Sequence, residues 1–272
     1  MMTKRETPSW WRNHFDSHAL RPAAQLKAQA DSLDRFLDLQ PRSRLLDLAC
    51  GAGRQTLELA RRGHRVLGVD SIEAALAEAR HGAREERLNV HFLKADLRQI
   101  PYRAEFDAVV NLFTSFGYFP SERDDLKVLE GVRKSLKTGG RFLIDVLNKE
   151  WLMRHFEPNS WEQEDGRSPV LLDRIVFNFE TGRLDNHRTI VAKDGTRSPS
   201  FVSLRLYTLT ELKSLIERAG LVYTRCWGGF EGGAYGMDSP RMIVLAGKPQ
   251  ERVARVRDAL PNDAIRIKGR RG

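Results

Sequence analysis

Two cysteines, Cys50 and Cys226, are all that this chain of 272 residues carries. That is too few for a disulfide framework or a thiolate-built zinc site, so no metal is expected and both thiols read as small buried hydrophobes. No apolar run nears the roughly 18 residues of a membrane span. The polar opening from Met1 to Glu6 has nothing of a secretory signal. The expectation is a cytoplasmic protein with no membrane partner. Internal repeats and low-complexity tracts are also missing. Charge is plentiful, with a net of +9 from 45 basic and 36 acidic residues, and much of the excess lies between Lys248 and Gly272. A basic tail attracts phosphates without regard to sequence and says nothing about fold, so it does not by itself argue for nucleic acid.

What is present is an alternation of strand and helix signals. After Trp10, Trp11 and Phe15, an amphipathic helix is spaced by Leu26, Ala30, Leu33, Phe36 and Leu37 and ends before Pro41. The run Arg44 to Ala49 is apolar in the manner of a parallel strand buried on both faces, and it ends in Cys50-Gly51-Ala52-Gly53. A helix from about Arg54 to Gly63, a strand from Arg65 to Asp70, a helix capped by Ser71 and a strand from Asn89 to Leu93 follow. Phe106 to Leu112 is a fourth strand. A helix from Ser121 stops at Gly139-Gly140, before a fifth strand from Arg141 to Leu147. Such alternation implies βαβ crossovers and a doubly wound, mostly parallel sheet.

Between about Trp151 and Leu206 the pattern changes to period two, with Asp194-Gly195 as a tight turn, so antiparallel strands are inserted there as a lid. The capping box Thr208-Leu209-Thr210-Glu211 starts another helix, and the strands Leu221 to Trp227 and Arg241 to Ala246 close the pattern. The expected division is 1–40 as an N-terminal cap, 41–150 as the nucleotide-binding α/β core, 151–207 as the lid, 208–248 as the rest of the core sheet and 249–272 as the basic tail.

The chemistry concentrates where the first strand turns into its helix. Gly51 and Gly53 permit a sharp turn and a close approach of backbone to ligand. Asp70 stands nineteen positions after Gly51, at the end of the next strand, where a carboxylate can accept both hydroxyls of a ribose. A dinucleotide loop would place a third small residue at position 56, which is Thr. Asp47, inside the strand, suits a ligand with an ammonium better than one with a diphosphate.

On these residues the stretch from Arg44 to Leu147 resembles the core of the class I S-adenosylmethionine (SAM)-dependent methyltransferases, in their small-molecule branch. The resemblance implies a seven-stranded Rossmann-like sheet with SAM as cofactor. It places Asp47, Ala49, Cys50, Gly51 and Gly53 at the methionine part, and Asp70, with Ser71 and Ile72, at the ribose and adenine. It implies that Asp96 and Leu97 read the adenine edge and that Asn111, Leu112 and Phe113 lie beside the transferred methyl.

Transfer to a small-molecule nitrogen or oxygen can run by in-line displacement, on alignment and exclusion of water. An amine needs no dedicated base, whereas a hydroxyl does. No catalytic side chain is singled out; Tyr118, His187 and His14 are the residues placed to assist, with His18 and His155 as further histidines. For the acceptor, Trp11, Phe15, Phe116 and Tyr118 offer aromatic surface, and Arg188, Arg205, Tyr207 and Arg241 lie in or beside predicted strands, where each is either solvated or used. Three alternatives stand beside this reading: an RNA methyltransferase, a non-catalytic SAM-binding protein and a nicotinamide-dependent oxidoreductase. Against the first, no Asn-Pro-Pro-Tyr motif follows the fourth strand and no RNA-binding module is recognisable.

Overall fold

The computed structural model describes residues 23–163 and 168–250. The expected segment around His14, Trp11 and Phe15 and the basic tail beyond Gln250 lie outside them. The described chain opens on α1 (Ala23–Leu37), which lays Ala30, Leu33, Phe36 and Leu37 onto one face of the main sheet.

That sheet is built from β1 (Arg44–Leu48), β2 (Arg65–Asp70), β3 (His91–Lys94), β4 (Phe106–Asn111), β5 (Leu136–Leu147), β10 (Val222–Trp227) and β11 (Arg241–Gly247), in the order β10-β11-β5-β4-β1-β2-β3. β11 runs antiparallel to both neighbours, and the other pairings are parallel. The chain leaves β1 toward β2 on one side, and β4 fills the other side of β1. A crevice therefore opens beyond the carboxyl ends of β1 and β4, where ligands of such sheets bind.

Helices cover both faces. α1 and α2 (Arg54–Arg61) pack with Leu45, Val110, Leu143 and Ile243. On the other face α4 (Glu122–Ser135) and α6 (Leu209–Arg218) bury Leu129, Val132, Leu212 and Ile216 against Phe106, Phe142 and Val244. The starts of these two helices are chemically specified. Ser121 accepts from the Asp124 amide ahead of an acidic first turn, and Thr208 with Glu211 forms the expected capping box. Phe142 is 1% exposed. Phe142→Ala is expected to cost about 3–5 kcal/mol of stability by leaving a void in this layer, read as a shift of the urea midpoint.

Two local expectations are corrected. The helix after Asp70, α3 (Glu73–Glu85), starts one residue later than expected, with Ile72 and not Ser71 at its N-cap and no side-chain cap; the Ile72 amide donates to Asp70 Oδ1 at 2.9 Å. α4 stops at Ser135, not at Gly139-Gly140. Leu136 already lies in β5, held by Lys248 Nζ on its carbonyl at 2.7 Å, while the Gly139 amide donates to the Lys248 carbonyl. Edge contacts from the β11 end thus override helical spacing.

After β5 comes α5 (Lys149–Arg154), which the period-two reading had not separated from the insertion. The inserted strands then form a second, antiparallel sheet of β6 (Asn159–Glu162), β7 (Val170–Asn178), β8 (Arg183–Val191) and β9 (Arg197–Arg205), in that order. It is fastened to the segment that follows β4. The Arg205 amide donates to the Gly117 carbonyl at 2.8 Å, and Arg183 Nη1 donates to the Phe119 carbonyl at 3.1 Å. Among the described residues no helix is long and apolar enough to cross a membrane.

Candidate active site

The turn from β1 into α2 runs through three left-handed residues, Ala49 (φ 58), Gly51 (φ 55) and Gly53 (φ 74). Gly53 has no room for a side chain, since a Cβ there would stand 2.8 Å from that of Ala79. Gly51 is different: nothing lies within 4 Å of the place its Cβ would take. The loop therefore shows bare backbone to open space at the crevice.

Asp70 ties this loop to the end of β2. Its Oδ2 accepts from the Gly51 amide at 2.8 Å and its Oδ1 from the Ile72 amide at 2.9 Å. Burial raises its pKa, and the amides of Ile72, Gly51 and Ser71 work against that rise. Each carboxylate oxygen keeps a lone pair for a further donor.

Asp47 is 3% exposed within β1. Burial pushes its pKa up to about 7, opposed by the Thr56 hydroxyl, which donates to Oδ2 at 2.5 Å, and helped by the nearby Asp70 charge. Position 56 thus carries a hydroxyl that holds this acid, where a dinucleotide loop would carry a small residue beside its phosphates. Cys50 packs on Gly68, where an added Cβ would lie 2.8 Å from its Sγ, and burial keeps its thiol protonated.

Across the crevice, Asn111 ends β4. Its Nδ2 donates to the Leu48 carbonyl at 2.9 Å, and its buried Oδ1 has no partner. Gln55, in the first turn of α2, is 4% exposed with neither end of its amide bonded. The donor set fits SAM: a carboxylate for two ribose hydroxyls, bare loop backbone with room above it, and acceptor oxygens for an ammonium. Two buried acids beside the loop oppose a diphosphate.

Beyond β3, Asp96 caps the 3-10 turn Leu97–Gln99, and Arg98 takes both its oxygens at 2.6 to 3.1 Å. That pairing holds its carboxyl below the usual range.

The residues expected at the acceptor fall into separate groups: Arg205 and Phe116 contact Tyr207, Arg241 acts on Tyr118, and Arg188 lies apart within the inserted sheet. Arg205 bonds Glu211 at 2.7 Å, and the buried Tyr207 hydroxyl donates to Asp125 at 2.6 Å, so both join the insertion to the core. Arg241 Nε donates to Asp145 at 2.8 Å. Arg188 grips Asp173 with two bonds of 2.7 and 2.8 Å inside the inserted sheet. His187 is exposed on the other face of that sheet, its ring against Phe201. His155 stacks on Trp151 at the end of α5, and Phe116 packs against Tyr207. Tyr118 is largely buried, and its hydroxyl is held neutral by that burial.

Sequence reading passed over Gln55, Thr114 and Asp145. The signal for Asp145 was available, for it is an acid inside an apolar run, as Asp47 is. Among the described residues no group of three or more histidine, cysteine or carboxylate side chains is placed to hold a metal.

Residues 45–140 match the family described as methyltransferase domain. The cypemycin N-terminal methyltransferase of Streptomyces sp is 26% identical over 233 residues, which is 84% of this chain and 91% of the relative. The chain spans about half the length of two other curated relatives, 51% and 54%. Among solved structures, an S-adenosylmethionine-dependent methyltransferase from Clostridium acetobutylicum ATCC 824 matches with a TM-score of 0.75 at 18% identity, over 88% of this chain and 98% of its own. The sugar N-methyltransferase KedS8 from Streptoalloteichus sp ATCC 53650 matches at 0.67 and 19%, over 92% of this chain and 97% of its own. At those identities the two structures bear on the fold.

Proposed function

Because residues 45–140 form a class I SAM-dependent methyltransferase domain, we propose that the chain methylates a small molecule, working in the cytoplasm, and that the attacked atom is an amine nitrogen. The observation that carries the cofactor assignment is Asp70 with one amide on each oxygen, beside a loop whose Gly51 faces open space.

In this reading Asp70 takes the ribose hydroxyls, with Ser71, Ile72 and Leu97 around the adenine. Asp47, Ala49, Cys50, Gly51, Gly53 and Asn111 surround the methionine part, and Leu112 and Phe113 border the methyl. Bound SAM supplies an electrophilic methyl on a sulfonium. With SAM bound, the amine lone pair would form the new N–C bond as the C–S bond broke with its electrons left on sulfur, and the resulting ammonium would give its proton to water. The protein's part is alignment and exclusion of water.

An amine is favoured because the described histidines named as candidate bases are engaged elsewhere and Tyr118 is held neutral, while a nitrogen with a free lone pair needs no base. The cypemycin relative, by its name, also acts at an amino terminus. Methyl-labelled SAM incubated with a cell extract tests this reading. Label in small amines supports it, and label in RNA alone refutes it.

Asp47 gives a second test. Its folded pKa of about 7 lies above the value near 3.9 of an unfolded Asp, so the folded state holds an extra proton between those values. Its contribution to stability therefore falls as pH rises from about 4 to about 7 and is level above. A ligand ammonium favours the ionised carboxylate, so SAM affinity is expected to rise about tenfold or more from pH 5.5 to pH 8. Calorimetric titrations across that range should show the rise in the wild type and a nearly flat profile in Asp47→Asn. A flat wild-type profile would remove Asp47 from the site.

A further inference from the structure

Directly after β4 the chain makes two consecutive left-handed residues, Phe113 (φ 57) and Thr114 (φ 62), neither of them glycine. Left-handed backbone is the province of glycine and asparagine, and a β-branched residue there is a genuine outlier. Three residues on, where the chain again needs positive φ, it uses Gly117 (φ 98). Strain of this kind persists only where the surroundings impose it, and it gathers at functional sites.

The surroundings here are Asp145 and Arg241. Asp145 is 0% exposed in β5. Its Oδ2 accepts from the Phe113 amide at 2.8 Å and its carbonyl from the Thr114 amide at 2.9 Å. Its Oδ1 accepts from Arg241 Nε at 2.8 Å, with Arg241 Nη2 2.7 Å away in the same ion pair. One acid thus fixes both strained residues, and one guanidinium fixes the acid. The side chain so presented is buried and unsatisfied: Thr114 is 7% exposed and its Oγ1 has no hydrogen-bond partner. Asn111 Oδ1, three residues earlier at the same strand end, is likewise unbonded. Buried polar atoms are nearly always paired, so two such atoms at the carboxyl end of β4, where ligands of such sheets bind, are better explained by a ligand than by packing.

We propose that the Thr114 hydroxyl contacts the acceptor, its oxygen accepting the N–H of the neutral amine so that the nitrogen lone pair is aimed at the methyl, and that Asp145 and Arg241 are its positioning pair. This rests on the amine-methyltransferase reading above. The acceptor must then be a primary or secondary amine, since a tertiary amine has no N–H to offer. Thr114 discriminates by the unmade hydrogen bond left behind when the wrong substrate enters.

The test uses the full chain as wild type, Thr114→Val, Thr114→Ser, Arg241→Lys and Arg241→Met. Each is measured for melting temperature, for SAM affinity by calorimetry, and for kcat and KM with methyl-labelled SAM and a panel of primary, secondary and tertiary amines. Thr114→Val keeps the branched shape and removes the hydroxyl. It should lower kcat/KM about 10- to 100-fold, with SAM affinity within twofold and melting temperature not lowered. Thr114→Ser should recover most of the loss. Arg241→Met should lower kcat more than it raises the amine KM, and Arg241→Lys should fall between it and the wild type.

Unchanged kcat/KM in Thr114→Val overturns the proposal, and so does a parallel fall of melting temperature, SAM affinity and turnover in both Thr114 variants. Should Thr114→Val fail to fold, Thr114→Ser with Arg241→Met decides, since a positioning pair predicts near-normal turnover in the first and a kcat loss in the second. A wild type that binds SAM but labels no amine refutes the function itself. A wild type that labels amines indifferently to position 114 refutes only this inference.

Discussion

Asp70→Ala is expected to weaken SAM binding by about 100-fold or more, because in the proposed site each carboxylate oxygen serves both the protein and the ligand. Hydrogen bonds to a charged group contribute about 1.5–3 kcal/mol each, and two ribose hydroxyls are at stake. The loss is compounded by the loop itself. Without Oδ2 the Gly51 amide loses its 2.8 Å partner, and without Oδ1 the Ile72 amide loses its own. The bare backbone that should face the methionine part would then be free to turn away. Burial already disfavours the ionised carboxylate, so removing it relieves some desolvation, and the variant should melt near the wild-type temperature. Loss of affinity with retained stability is the signature to seek by calorimetry and thermal melting. A change in SAM affinity under threefold would show that Asp70 serves the fold alone.

Gly117→Ala should separate the insertion from the cofactor site. Gly117 has a φ of +98, and an added Cβ would run into the Arg205 carbonyl. Its own carbonyl accepts from the Arg205 amide at 2.8 Å, which joins the end of β9 to the segment after β4. The cost of a strained backbone plus an unrelievable contact is about 2–4 kcal/mol, which for a chain of this size lowers the melting temperature by about 4–12 °C. Methyl transfer should fall more than tenfold as the inserted sheet loses its seat, while SAM affinity stays within about threefold, because Asp70, Gly51 and Asn111 keep their partners. Stopped transfer with intact SAM binding identifies the insertion as part of the acceptor site. Wild-type transfer rates would leave it without that role.

The proposed cofactor half of the site could be assembled from the sequence because its signals are local. A buried apolar strand must end somewhere, glycines mark where its backbone can be approached, and nineteen residues is the span of one helix and one return strand to Asp70. The doubly wound, mostly parallel sheet followed from the same alternation and its seven strands from the family resemblance, while the strand order is visible only in the structure. The proposed acceptor half was not legible, since it depends on pairings between distant residues. Arg205, Tyr207 and Arg241 each stood out as polar groups near strands, yet each meets its partner through tertiary contact, with Glu211, Asp125 and Asp145. Ser71 does not cap the helix because the helix begins one residue further on, which makes Ile72 the N-cap. Thr114 gave no sequence signal, as its interest lies in a backbone angle that composition does not reveal. The acid inside the run Arg141 to Leu147 was the missed clue. A charge in a central strand needs a partner, and asking for one would have led to Arg241.

The most direct measurement is a crystal structure of the protein grown with S-adenosylhomocysteine. The expected result is the nucleoside in the crevice between β1 and β4, its two ribose hydroxyls on the Asp70 carboxylate and its amino group within hydrogen-bond reach of Asp47 or Asn111 Oδ1. An empty crevice at saturating ligand, or a nucleoside bound with Asp70 turned away from the ribose, would contradict the assignment of SAM to this fold.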